Sequence, residues 1–218
     1  DNCGVRDCRV IGGLLDGLQA KGDCRIVGNV IEDNGDDGLY ITGSGCYVAD
    51  NIIRGNADNY DLGAGNQLNL LLCEVPETLD WPCSVRLAGT LSTTQTGVNG
   101  ITVAANDITI DMAGHALIGP GADSGHGIVQ RELYHNLTVR NGTICHWESH
   151  GEGPEGYPHG ALNAYGNLNV LENLTVYSNN MGIVAAGESA RVESCIARDN
   201  SKGIQTGKGC QVINCHSS

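Results

Sequence analysis

The sequence predicts an all-β chain wound as a parallel β-helix with coils of about 20 to 22 residues. Three observations predict it. A fragment returns along the chain: Gly-Ile or Gly-Leu, a short polar turn, Cys or another small residue, a Val, then Asn or Cys. It reads GLQAKGDCRIVGN from Gly17, GLYITGSGCYVADN from Gly38, GIVAAGESARVESC from Gly182 and GIQTGKGCQVINC from Gly203, with steps of 21 residues between Gly17 and Gly38 and between Gly182 and Gly203. Short runs rich in β-branched residues separate the turns, and no stretch holds a 3.6-residue apolar period, so helix is not expected.

Taken in order, the repeats set residues into columns. Cys3, Cys24 and Cys46 form one, with Ala190 and Cys210 at the same place later. A second, five residues on, runs Cys8, Asn29 and Asn51, then Asn173, Cys195 and Cys215. Small apolar Cys suits the inside of a narrow coil. Asn suits a bend, because its amide bonds nearby backbone and it tolerates left-handed dihedrals. The strands expected between bends are three to five residues long: Arg25-Ile26-Val27, Ile101-Thr102-Val103, Ile108-Thr109-Ile110 and Leu174-Thr175-Val176. Glycine, at 32 positions, together with Asn and Asp supplies the corners.

The segment Val98-Asn99-Gly100-Ile101-Thr102-Val103-Ala104-Ala105-Asn106-Asp107-Ile108-Thr109-Ile110-Asp111-Met112-Ala113-Gly114-His115 resembles the first coils of the right-handed parallel β-helix repeat proteins, the pectate-lyase-like superfamily, and residues 136–143 (NLTVRNGT) resemble the coil that follows. The resemblance implies a right-handed β-helix. These motifs build coils and carry no chemistry. Residues 1–66 resemble the last coils of such a domain and close on Asn59-Tyr60-Asp61-Leu62-Gly63-Ala64-Gly65-Asn66. Residues 67–218 resemble its beginning, a cap across Cys73–Leu91 followed by coils. The order looks permuted, and one continuous solenoid is expected. Asp1 and Ser218 both fall in mid-coil without cap chemistry. A cut chain is one reading. Another is an end that templates pairing with a neighbouring copy, head to tail. A third stacks residues 1–66 on the chain's own last coil.

Net charge −13 argues against nucleic acid and anionic membrane as partners and favours cations. No apolar run approaches 18 residues, so no membrane span is expected. Ten cysteines suggest an oxidising compartment and a secreted or extracellular protein. The column cysteines read mainly as buried thiols, with disulfides the alternative, since in-register parallel strands orient Cβ atoms poorly for a bridge. Cys73 and Cys83 flank a Pro-bounded loop and are the candidate cap disulfide. Asn136, Asn141 and Asn173 begin Asn-x-Thr sequons, candidate glycan acceptors that also suit β-helix corners.

Chemistry is concentrated where the period stretches to 33 residues, between Gly127 and Gly160. The segment 145–159 holds His146, His150, His159, Glu148, Glu152, Glu155, Trp147 and Tyr157. His146, Glu148 and His150 alternate, so on one strand they would share a face and offer Zn²⁺ or Cu²⁺ ligands. Relatives in the resembling superfamily that act on uronate polymers need a base for the C5 proton, a cation or Arg on the carboxylate, and a Tyr or His acid. Tyr157, His159, His150 and Glu152 are the candidates here, although the loop holds no Lys or Arg. The acidic turn Glu32, Asp33, Asp36, Asp37 is a candidate Ca²⁺ site; no cofactor is otherwise required. Trp81 and Trp147 suit packing or sugar stacking.

Two functions follow. The first is a structural solenoid that binds copies of itself through the coil ends marked by Cys3, Cys8, Cys210 and Cys215. The alternative is a carbohydrate-active β-helix, a polysaccharide lyase, uronate epimerase or module binding acidic or neutral polysaccharide through loop 145–159.

Overall fold

The computed structural model describes residues 3–148 and 160–218. Among them there are strands, turns and bends but no helix, and within each unit described below the strands pair in parallel. The chain divides into two compact units, Asp1–Cys73 with Cys83–Ala88, and Glu74–Pro82 with Gly89–Ser218.

The first unit contains β1 (Cys3–Arg6), β2 (Arg9–Ile11), β3 (Leu18–Ala20), β4 (Cys24–Val27), β5 (Val30–Glu32), β6 (Asp37–Ile41), β7 (Tyr47–Arg54), β8 (Asp58–Leu62) and β9 (Gln67–Leu72). After β10 (Glu77–Leu79), which belongs to the second unit, β11 (Ser84–Leu87) returns to the first. The ladders run β1-β4-β7-β9-β11, β2-β5-β7 and β3-β6-β8. Cys3 sits beside Cys24, as the sequence period requires. Ile26, Ile31, Leu39, Ile41, Val48 and Ile53 form a closed interior, while Arg25 and Asp50 between them face outward. This is the period-two pattern of half-buried strands.

The second unit contains β12 (Leu91–Ser92), β13 (Ile101–Val103), β14 (Thr109–Asp111), β15 (Ala116–Gly121), β16 (Ile128–Gln130), β17 (Thr138–Trp147), β18 (Gly160–Ala164), β19 (Val170–Tyr177), β20 (Met181–Ala185), β21 (Arg191–Glu193), β22 (Ile196–Arg198), β23 (Lys202–Thr206), β24 (Gln211–Ile213) and β25 (His216–Ser217). One sheet has the order β10-β13-β16-β18-β20-β23. The ladder β14-β17-β19-β21-β24 carries β12-β15 on β17 and β22-β25 on β19. The offset between facing residues is 32 from Leu137 to Asn169 and falls to 21 from Asn179 to Asn200. The stretched period read from the glycines is real, for Gly127 N–H donates to Gly160 O at 3.0 Å.

Each corner follows one rule. A residue with positive φ turns the chain, and the next residue hydrogen-bonds the same position of the preceding coil. In the first unit the turning residues are Asp7, Gly28 and Asp50 at one corner and Asp23, Gly45 and Gly65 at another. Behind them, Asn29 Oδ1 accepts from Cys8 N–H (3.0 Å) and Asn51 Oδ1 from Asn29 N–H (2.9 Å); Cys46 Sγ accepts from Cys24 N–H (3.4 Å) and Asn66 Oδ1 from Cys46 N–H (2.9 Å). Cys and Asn therefore do one job. Each accepts a backbone N–H and donates to a carbonyl, as Asn51 Nδ2 does to Ile26 O (2.9 Å) and Cys195 Sγ does to Leu171 O (3.5 Å). Groups that a tight coil would otherwise leave orphaned are thereby satisfied.

Two sequence expectations need correction. Asn173 does not share a column with Cys195; Leu171 faces Val192 and Glu172 faces Glu193, so Asn173 faces Ser194 and Leu174 faces Cys195. Asn173 (φ 53°), Ser194 (φ 53°) and Asn214 (φ 51°) are the turning residues, one place before the ladder position. Strands are also longer than the expected three to five residues. β7, β17 and β19 have 8, 10 and 8, because one left-handed residue turns the chain without ending the pairing on either side.

Trp147 is wholly buried, which removes it as a sugar-stacking surface. Its ring fills space left by missing side chains: a Cβ on Gly119 would stand 2.7 Å from its Cδ2, and one on Gly100 2.9 Å from its Cη2. Trp81 is half-buried.

Burial also fixes how the thiols respond to pH. Cys195, with no exposure, is pushed from 9.0 up to about 11 by desolvation. The folded state keeps this proton after the unfolded chain would lose it, so stability should decline as pH rises from about 9 towards 11. A Cys195→Ala variant, followed by urea unfolding across that range, should show a shallower decline.

Candidate functional site

One corner of the second unit collects polar chemistry from three successive coils. β17 ends on His146 and Trp147, and Glu148 follows. β19 ends on Tyr177, before Ser178, Asn179 and Asn180. β22 ends on Arg198, before Asp199, Asn200 and Ser201. His146 (φ 63°), Ser178 (φ 53°) and Asp199 (φ 54°) are the turning residues. Asn179 is the ladder residue between coils. It accepts from Trp147 N–H (3.0 Å) and donates to Tyr177 O (2.9 Å) and Asn200 Oδ1 (2.9 Å). With the amides fixed, the residues around them line an open depression of about 400 Å³: Glu148, Ser178, Asn179, Asn180, Asp199, Asn200 and Ser201.

Beside the depression, outward residues of the three strands stack. Cys145 faces Tyr177, and Tyr177 faces Arg198. The Arg198 guanidinium lies 4.5 Å from the Tyr177 ring centroid, and the His146 ring meets Tyr177 edge-on at 6.0 Å. Arg198 Nη1 also donates to Asp199 Oδ2 at 2.8 Å. His146 Nδ1 is 3.4 Å from Glu148 Oε1. A hydrogen bond with the buried Cys145 thiol raises the Tyr177 phenol above its ordinary range. The corner thus presents the Glu148 and Asp199 carboxylates, the Asn180 amide, the Ser178 and Ser201 hydroxyls and the Tyr177 ring, while the Asn179 and Asn200 amides are taken up by the ladder and the Arg198 guanidinium by Asp199 and Tyr177.

Of the residues singled out in loop 145–159, the structure brings together His146 and Glu148. His150, Glu152, Tyr157 and His159 lie outside the described residues. The acidic turn is rearranged relative to its sequence grouping. Glu32 forms ion pairs with Arg54 (2.6 Å) and Arg9 (3.5 Å), and the Arg54 bond holds its carboxyl below the ordinary value. Asp33 is a turning residue with φ 55°. Asp36 and Asp37 are joined by Asp16 of the preceding coil, their carboxylate oxygens within 4.8 Å of one another. Burial, then repulsion from Asp36, Asp61, Asp16 and Asp58, raises the Asp37 carboxyl above its ordinary value. Ionised Asp37 therefore costs stability above the unfolded carboxylate range. Asp37→Asn is expected to raise Tm at neutral pH and to lose that advantage once the carboxyl is protonated in acid, which thermal scans at the two pH values would show.

Asn136, Asn141 and Asn173 all have positive φ, and their amides bond Asp107, Asp111 and Asn141 respectively. Among the terminal-coil cysteines, Cys3 and Cys8 are exposed and Cys210 and Cys215 half-buried. Cys83 is buried, and Cys73 Sγ lies 3.5 Å from Leu71 O.

No family model, curated protein or solved structure matches the chain. Function therefore has to be argued from the corner itself. Among the described residues no helix is long and apolar enough to cross a membrane. Ser178, Asn180 and Asp199 are site residues outside loop 145–159 that its residue cluster does not point to. Their signal was present as Ser-Asn-Asn at 178–180 and Asp-Asn-Ser at 199–201, polar triplets 21 residues apart.

Proposed function

We propose that the chain is a right-handed parallel β-helix of the pectate-lyase-like kind, and that it is a secreted module binding neutral polysaccharide at the corner 146–148, 177–180 and 198–201. Parallel pairing at 20- to 22-residue offsets supports the winding, with ladder corners in the first unit at Cys8–Asn29, at Gly13–Asn34–Asn56 and at Cys24–Cys46–Asn66. The observation that carries the functional reading is the depression lined by polar residues, with Tyr177 next to it in the chain. Sugars present hydroxyls in both donor and acceptor senses around apolar ring faces. A site needs amides and carboxylates for the first and an aromatic ring for the second. The ladder bonds of Asn179 and Asn200 fix the backbone of the depression before a ligand arrives, which lowers the entropy lost on binding.

Charge selects the class of sugar. Glu148 and Asp199 flank the depression, and Arg198 is engaged by Asp199 and the Tyr177 ring. With net charge −13, a uronate carboxylate would meet repulsion where a neutral hexose meets acceptors.

Affinity electrophoresis in gels containing neutral β-glucan, galactomannan, pectate or alginate tests this. Retardation by a neutral polymer is expected, with Glu148→Ala weakening binding roughly tenfold, the loss of one or two hydrogen bonds. Equal retardation of wild type and Glu148→Ala, or retardation by uronate polymers alone, would remove the proposal.

A further inference from the structure

Among the described residues seven large apolar side chains are exposed, and three of them, Ile11 (44%), Leu14 (92%) and Leu15 (71%), fall within one turn of the first unit. Scattered apolar side chains on a surface need no cause, but a cluster rimmed by charge marks a contact surface. The corner rule does not ask for leucine here. One coil on, Gly35 and Asp36 occupy the positions of Leu14 and Leu15, and a Cβ on Gly35 would stand 2.6 Å from Leu14 O. Beside the leucines stands a column of carboxylates. The register of β3 and β6, extended by two places, sets Asp16 against Asp37, and Asp37 faces Asp58 on β8. Asp36 closes on the column, and Asp61 follows on β8, facing Tyr40. Among the described residues none of the five carboxylates forms an ion pair: Arg9 and Arg54 are held by Glu32, and Arg25 by the Tyr47 ring.

We propose that this face docks a basic protein segment that carries apolar side chains. Charge and apolar area together choose the occupant. A divalent cation would meet the carboxylates and leave Leu14 and Leu15 in water. A neutral lipid surface would take the leucines but bury carboxylates beside them, at a cost in desolvation. Anionic lipid and nucleic acid are repelled by the column. A segment with Lys or Arg beside Leu or Val answers both halves of the face. Its charged groups meet carboxylates that recur at ~4.8 Å from coil to coil, while its alkyl stems and apolar side chains cover the leucines. Such a partner also relieves a strain that the unbound chain carries, because repulsion from Asp36, Asp61, Asp16 and Asp58 adds to burial at Asp37. The surface lies in the first unit and does not depend on the sugar-binding reading.

A fluorescent synthetic peptide of alternating Lys and Leu, and a Lys-Ser peptide of equal charge and length, test the surface by anisotropy on the full chain. The Lys-Leu peptide should bind more tightly, and its affinity should fall as salt rises. Leu14→Ser with Leu15→Ser should reduce Lys-Leu binding to the Lys-Ser level and leave the salt dependence unchanged. Asp37→Asn with Asp58→Asn should weaken both peptides roughly tenfold, the scale of two exposed charge pairs. Should the half-buried Asp37 position not tolerate the change, Asp36→Asn with Asp58→Asn, both exposed, makes the same test. Asp123→Asn with Glu188→Gln removes equal charge from exposed positions of the second unit and should change nothing. Equal losses from the two charge-removing pairs would show attraction to net charge alone and overturn the proposal. So would unchanged Lys-Leu binding in the leucine variant, binding of phosphatidylcholine vesicles in place of peptide, or no peptide binding at low salt.

Discussion

Replacing Trp147 by Ala is expected to lower the stability of the second unit by about 3–5 kcal/mol, the range for deleting an enclosed aromatic side chain. The indole has no exposed surface, and the space around it exists because Gly100, Gly119 and Gly127 carry no side chains. Three glycines on separate turns cannot close over the void, because moving any of them breaks parallel ladder bonds such as Gly127 N–H to Gly160 O. The cavity term should therefore be paid nearly in full. Gly119→Ala attacks the same contact from the other side, since its Cβ would come 2.4 Å from His146 O as well as 2.7 Å from the ring. Urea unfolding followed by far-UV circular dichroism measures both. A Trp147→Ala cost below about 1 kcal/mol would mean that the ring is not enclosed.

The second large effect belongs to the asparagine ladder. Asn51→Ala should cost about 3 kcal/mol, because the loss strands several buried groups at once. Asn51 Oδ1 accepts from both Asn29 N–H and Asn29 Nδ2 at 2.9 Å, and its own Nδ2 donates to Ile26 O. Alanine leaves all three without that partner in a site from which water is excluded. Asn51→Cys should cost clearly less than Asn51→Ala, because a thiol accepts a backbone N–H at Cys46 and donates to a carbonyl at Cys195. Equal costs for the two substitutions would contradict the interchange of Asn and Cys on which the corner rule rests.

That interchange explains what the sequence showed and what it concealed. The 21-residue steps and the stretched coil between Gly127 and Gly160 were legible because glycines and small residues mark positions where neighbouring backbones approach. Cys3 beside Cys24 could be placed from spacing alone. Asn173 could not. An Asn serves equally as the left-handed turning residue and as the ladder residue after it, and composition cannot separate adjacent roles; the pairing of Glu172 with Glu193 is what decides. From sequence Trp147 suits packing or sugar stacking alike, because its neighbours are His and Glu; what decides for packing comes from glycines 20 to 47 residues earlier.

The candidate site was only partly readable for the same reason. His146 and Glu148 drew attention as a cluster along the chain, whereas a solenoid builds sites across coils. Tyr177, Asn180 and Asp199 are distant from Glu148 in sequence and join it through ladders β17-β19 and β19-β22. Asp16 likewise joins Asp36 and Asp37 from the preceding coil. A residue-by-residue scan sees one member of each set; adding one coil length to every candidate recovers the rest.

The most direct test of the account is to map a neutral oligosaccharide onto the isotopically labelled protein by amide chemical-shift perturbation. A corner that binds neutral sugar should give saturable shifts confined to residues 146–148, 177–180 and 198–201, absent when a uronate oligosaccharide of the same length is added. Shifts centred on another face, or none at millimolar concentrations of any neutral oligosaccharide, would contradict it.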